Sequence, residues 1–172
     1  YLVAMPLPQV MYNLNFSKDH QASWALSTAP IEDAAGFASG LRKAVVGRFS
    51  APLLVLLFVV LAATWRDVGH AAVQIWCAGC AVWLAAHASS VGAVRATPFA
   101  APLARGESFG PVAPLAAVVG TVVSGLALLH WYAARDGATF VGFTIAITVA
   151  AALAGRVTGP MLVRRALRRA GA

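Results

Sequence analysis

Four stretches of this chain contain no Asp, Glu, Lys or Arg: residues 49–65, 68–94, 108–134 and 137–155. Together they hold 90 of the 172 residues. A helix crosses ~30 Å of hydrocarbon with about 20 apolar residues, because each residue advances ~1.5 Å. Each stretch therefore matches one crossing. Lipid admits them as helices, which satisfy every backbone N–H and C=O within the segment. The expected fold is all-α: a polytopic helical membrane protein with four complete transmembrane helices in two hairpins, preceded by cytoplasmic interfacial helices. Composition agrees, with 60% hydrophobic and 11% charged residues. A soluble domain carries about 25% charge, so an ordinary cytoplasmic enzyme and a disordered segment are both excluded.

The few charges are placed unevenly. Alternation across four spans puts Lys18, Arg42, Lys43, Arg48, Arg95, Arg105 and the five arginines from Arg156 onward on one side, eleven in all. Only Arg66 and Arg135 fall on the other. Such asymmetry marks the cytoplasmic side, so both the polar segment before the spans and the C-terminus are expected there, in a bacterial inner membrane. The net charge of +7 is thus an orientation signal. No basic face with interleaved aromatics points to nucleic acid.

Three regions follow. Residues 1–12 are apolar and interrupted by Pro6 and Pro8, without the basic start or cleavage site of a signal peptide; they read as the cytoplasmic end of an earlier span, with an interfacial helix as the alternative. Residues 13–48 are expected to form cytoplasmic amphipathic helices. Asp19 would cap a short one carrying Trp24 and Leu26, and Ser27, Thr28 and Pro30 would end it. A second, over 31–47, has Glu32 and Asp33 in its first turn, where the backbone dipole favours anions. Its Arg42 and Lys43, with Arg48, suit lipid headgroups. Residues 49–172 make the four-helix domain and a basic tail, in which Arg164, Arg165, Arg168 and Arg169 also face lipid. The hairpin turns are Arg66-Asp67-Val68-Gly69 and Ala134-Arg135-Asp136-Gly137, flanked by Trp65, Trp131 and Tyr132 at the membrane boundary. The loop over 92–110 is long enough to touch a partner.

Little in the sequence promises catalysis. No span carries an ionisable carboxylate, Lys or Arg in its interior, which disfavours a proton- or ion-coupled transporter. Phosphate-binding glycine loops are absent, and no enzymatic activity, resident cofactor or metal is expected. Cys77-x-x-Cys80 lies within the second span, where thiolates are costly and packing is the better role. His70 opens the second span and His130 closes the third on the same side, so the two reach similar depth. They are the only candidates for haem, a metal or a quinone. Helix packing has a clearer signal. Gly142, Ala146, Ala150 and Ala154 recur every four residues, and Gly120 with Ser124 repeats the pattern once, giving smooth ridges for a neighbouring helix. Thr144 and Thr148 can return their hydroxyls to their own backbone.

The segment Asp19-x-x-Ala22-Ser23-Trp24-Ala25-Leu26-Ser27-Thr28-Ala29-Pro30-Ile31, followed by Gly40-Leu41-Arg42-Lys43-Ala44, Phe49-x-x-Pro52 and Thr97-Pro98-Phe99, resembles permeases of the type-two ATP-binding-cassette exporter class. The resemblance covers residues 19–102, and the chain lacks that family's earlier spans and any ATPase. It implies a non-catalytic membrane part of an exporter, with the helix over 31–47 or the loop over 92–110 contacting a separate cytoplasmic ATPase. Membrane lipid and other membrane subunits are the remaining expected partners. Two alternatives stand beside it: a structural accessory subunit of a respiratory or photosynthetic complex, and a haem- or quinone-binding subunit through His70 and His130.

Overall fold

Charge-free segments become helices, and in this chain they gather around one of their own number. The structure, a computed structural model, describes residues 1–17, 34–93, 101–102 and 112–170. A 3-10 turn at Leu2–Ala4 leads into α1 (Leu7–Asn13) and the two-residue strand β1 (Phe16–Ser17). Then come α2 (Ala34–Val45), a π-helical turn at Val46–Ser50, α3 (Ala51–Trp65), α4 (Val68–Ala93), β2 (Ala101–Pro102), α5 (Ala113–Ala133) and α6 (Gly137–Ala170). Four segments are long and apolar enough to cross a membrane: Ser39–Trp65, Val68–Val91, Ala113–Ala133 and Gly137–Val157. The all-α membrane fold expected from the sequence is the one observed. The strands add only a parallel pairing of Phe16 with Ala101 and Ser17 with Pro102.

The first span departs from expectation. Val45 and Ala51, on either side of the π-turn, keep right-handed helical dihedrals. From Ala34 to Trp65 the backbone is therefore one continuous helix running through Arg42, Lys43 and Arg48. The part of the 31–47 helix that is described is thus the upstream end of the first span, and α2 packs on α4 and α6. Counting uncharged residues stops at Arg48, but a helix end tolerates cations that reach water or a polar partner.

α4 is the central post. It touches α1, α2, α3, α5 and α6. Its buried positions are mostly small, among them Ala71, Ala78, Ala81, Ala85 and Ala86, so neighbouring backbones approach closely. By contrast α3, α5 and α6 expose Leu56, Val59, Val118, Val122, Ile145 and Val149, the side chains that hydrocarbon solvates. One apolar cluster joins Leu7 and Met11 of α1 to Val45, Val82, Ala86 and Val119. The second lies between α4 and α6 and contains Cys77, Cys80, Ala81, Ile147 and Ala151.

Both hairpin turns restart the chain with the same device, an aspartate cap, though only the first is stopped by a left-handed residue. Arg66 takes the left-handed conformation (φ 54°) and returns its N–H to the Ala62 carbonyl at 3.0 Å. Asp67 then accepts the His70 N–H at 2.9 Å, satisfying a free donor at the start of α4. Asp136 repeats this for α6, accepting the Thr139 N–H at 2.9 Å and its hydroxyl at 2.6 Å. Those Thr139 hydrogen bonds hold the Asp136 carboxyl below the usual carboxylate range. The two turns share one end of the bundle, the hairpin end. At the opposite, basic end stand the start of α2 and the end of α4. Residues 1–17 run alongside α4 from the first end towards the second: Tyr1 meets His130, and Phe16 pairs with Ala101.

Candidate functional site

Among the described residues, buried polar side chains collect at two depths. At the hairpin end the structure brings His70 and His130 to the same ring. His70 is exposed, lies 5.1 Å from the Trp65 ring and 6.1 Å from Phe140, and has Nε2 at 3.3 Å from Gln74 Nε2. His130 is 4% exposed. Its ring stacks on Phe140 at 5.5 Å and on Phe143 at 5.2 Å, and its Nδ1 shares a 2.6 Å hydrogen bond with the Tyr1 hydroxyl. The similar depth read from topology is therefore real, yet what joins the two imidazoles is the Phe140 phenyl ring. No group of three His, Cys, Asp or Glu residues assembles a metal site among the described residues.

Cys77 and Cys80 are free, buried thiols in the seam between α4 and α6. Cys77 Sγ lies 3.7 Å from Thr144 Oγ1. Thr144 and Thr148 do return their hydroxyl protons to their own helix, to the Phe140 carbonyl at 2.9 Å and the Thr144 carbonyl at 2.7 Å. Each hydroxyl oxygen is then left to accept across the seam, and Trp76 Nε1 donates to Thr148 at 2.9 Å. Beside this bond an open-sided groove of about 620 Å³ is lined by Phe58, Ile75, Trp76, Trp83 and Ala152. Its wall is apolar and faces the flank of the bundle.

The basic end holds the polar cluster that the sequence did not announce. Arg42, expected to face lipid headgroups, is 3% exposed and turns towards α4. Its Nη1 donates to Ser90 Oγ at 3.3 Å. Ser90 in turn donates its own proton to the His87 carbonyl at 2.9 Å, so its oxygen is free to accept from the guanidinium. His87 is buried and stands edge-on to Trp83 at 4.8 Å. Arg42 Nε is buried without a hydrogen-bond partner, as is the Ser50 hydroxyl in the π-turn. Among the described residues Arg42 forms no ion pair. Helical spacing explains why it turns inward: Val45, one turn on, packs in the core between α1 and α4, and Arg42 shares that face. Nothing in the spacing of Arg42 along the sequence announced that α2 would lie on α4.

Lys43 and Arg48 are exposed, as headgroup contact requires. The backbone of 164–169 continues α6, while the side chains of Arg164, Arg165, Arg168 and Arg169 lie outside the described residues. So do the motif residues 19–31 and 97–99. On α6, Gly142, Ala146 and Ala150 are exposed and Ala154 is half-buried. The helix packs within the chain through its Phe143–Ile147–Ala151 face instead. Nothing lies within 4 Å of where a Cβ on Gly142 or Gly120 would point, and Ser124 is exposed. Among the described residues, the row of Gly142, Ala146 and Ala150 therefore lies exposed, away from the seam with α4. Comparison with family models, curated proteins and solved structures found no match to the chain.

Proposed function

We propose that this chain is the membrane part of an exporter-type permease, oriented with its basic end in the cytoplasm and working beside other membrane subunits and a separate ATPase. The observation that supports an assembly is the outward ridge of α6. Gly142, Ala146 and Ala150 offer a flat track where a second helix can approach closely, and the space above Gly142 is open. Membrane helices associate through such tracks because lipid tails give no hydrophobic drive for them to do so. The type of assembly rests on the motifs between residues 19 and 102. Nucleotide chemistry then belongs to the partner chain, and this one supplies half of a substrate path.

Extraction in mild detergent followed by mass spectrometry tests the proposal. A stoichiometric ATPase is expected in the wild-type preparation. Gly142→Leu and Ala146→Leu are expected to lower its recovery severalfold, with Ile145→Leu at wild-type yield. Recovery with respiratory or photosynthetic subunits instead would assign the chain to a structural accessory role. Equal yield from all three variants would refute the ridge.

A further inference from the structure

Arg42 poses a problem of charge that the fold leaves open. A guanidinium stays protonated under all conditions a protein meets, so burial does not neutralise it. Taking such an ion out of water is costly unless an anion and well-placed acceptors answer it. Among the described residues, what answers Arg42 is one serine oxygen at 3.3 Å and the C-terminal end of α4, whose dipole is equivalent to about half a negative charge. Nε remains unpartnered inside the bundle. Among the described residues, Arg42 has no acceptor carrying a full negative charge.

Depth narrows the choice. Arg42 precedes Trp65 by 23 residues on an unbroken helix, about 35 Å of rise. Hydrocarbon accounts for ~30 Å of that, and Trp65 occupies the opposite boundary. Arg42 therefore sits at the level of the lipid phosphates, one turn beyond the apolar cluster at Val45 and Ala86. Exposed Lys43 and Arg48 add positive potential at the same end.

We propose that Arg42 and Ser90 form a seat for a phosphate-type oxyanion, gripped between α2 and α4 at headgroup depth. The guanidinium donates through Nη and the free Nε to phosphate oxygens, a pairing its planar fork suits. Lys43 and Arg48 raise the local concentration of anions but do not grip them. The seat stands independently of the exporter reading, since it needs only the geometry of the first two spans.

The test uses purified protein stripped of lipid in a neutral detergent. Unfolding is followed by a maleimide dye that reports exposure of buried Cys77 and Cys80. Phosphatidic acid in mixed micelles, phosphatidylcholine as the zwitterionic control, and inorganic phosphate are added in separate arms. Wild type is expected to gain several degrees in Tm with an anionic phosphate. Arg42→Met should lose that gain while matching or exceeding wild type without added anion, because it removes an unanswered buried charge. Arg42→Lys should keep part of the gain and Lys43→Ala nearly all of it. A gain with phosphatidic acid alone identifies a lipid-borne phosphate, and an equal gain with inorganic phosphate a free one; both support the seat. Loss of stability in Arg42→Met without added anion, together with no gain for wild type, would show a fixed pair to one of the chain's own carboxylates and overturn it. An equal loss of the gain in Lys43→Ala would reduce the effect to surface charge and overturn it as well.

Discussion

The Trp76–Thr148 hydrogen bond offers a quantitative test of how α4 and α6 hold together. The donor is an indole N–H 2.9 Å from a hydroxyl oxygen whose own proton is committed to the Thr144 carbonyl. Trp76 is 55% exposed on the flank of the bundle, so lipid, not water, is its alternative environment. Interhelical hydrogen bonds in membranes average ~0.6 kcal/mol and reach ~1.7 kcal/mol. The ordinary 2.9 Å distance and the committed acceptor place this one near ~1 kcal/mol, between the average and the maximum and roughly a fivefold change in the folding equilibrium. Trp76→Phe alone costs more than that, because it also thins the wall of the groove shared with Phe58 and Trp83. A double-mutant cycle with Thr148→Val removes the packing contribution and leaves the pair. Reversible unfolding by sodium dodecyl sulfate in mixed micelles, followed by circular dichroism, supplies the free energies. Trp131→Phe, at the hairpin end of α5, paired with Thr148→Val is the control and should be additive within ~0.5 kcal/mol. A Trp76–Thr148 coupling below ~0.2 kcal/mol would refute the bond as a contributor to the seam, since it falls well under the membrane average.

Two further outcomes concern the hairpin turns. Arg66→Gly should raise stability by ~0.5–1 kcal/mol in the same unfolding assay, because a side chain at φ 54° is strained where glycine is not. Asp136 titrates at lower pH in the fold than in the unfolded chain, where the value is about 3.9. Its stabilising effect is therefore complete above that pH and disappears as pH falls through the lower folded value. Thermal unfolding measured from pH 6 down to pH 3 should show a steeper acid loss in wild type than in Asp136→Asn.

The spans were legible because charge is so costly in hydrocarbon that its absence draws their outlines. Trp65, Trp131 and Tyr132 stand exposed beside the hairpin turns as their chemistry predicts. The start of the first span was not legible, because Arg42, Lys43 and Arg48 look like a boundary when only charge is counted. A helix continues through such residues when a π-turn carries the backbone on and one of the cations finds a place inside. Direction is the other quantity that spacing withholds. Gly142 and Ala146 recur every four residues whichever way that row faces, and only the packing of Ile147 and Ala151 on α4 turns it outward. His70 and His130 illustrate the same point. Topology gives their depth, but the contact each makes with Phe140 depends on side-chain orientation across three helices.

The enclosure of α4 bears on how the chain enters a membrane at all. Of the four spans it is the least apolar, and it carries Gln74, His70, His87, Ser89 and Ser90, whereas α3 just before it is the most apolar. A segment of that kind partitions poorly as it leaves the insertion machinery by itself. The connection between them is only Arg66 and Asp67, so α3 can draw α4 in as one hairpin. The polar residues of α4 then await α1, α2, α5 and α6 to close around them. Between translation and final packing, α4 is the span most exposed to misinsertion and to quality-control proteases, and substitutions that weaken its enclosure should act on the amount of protein before they act on its activity.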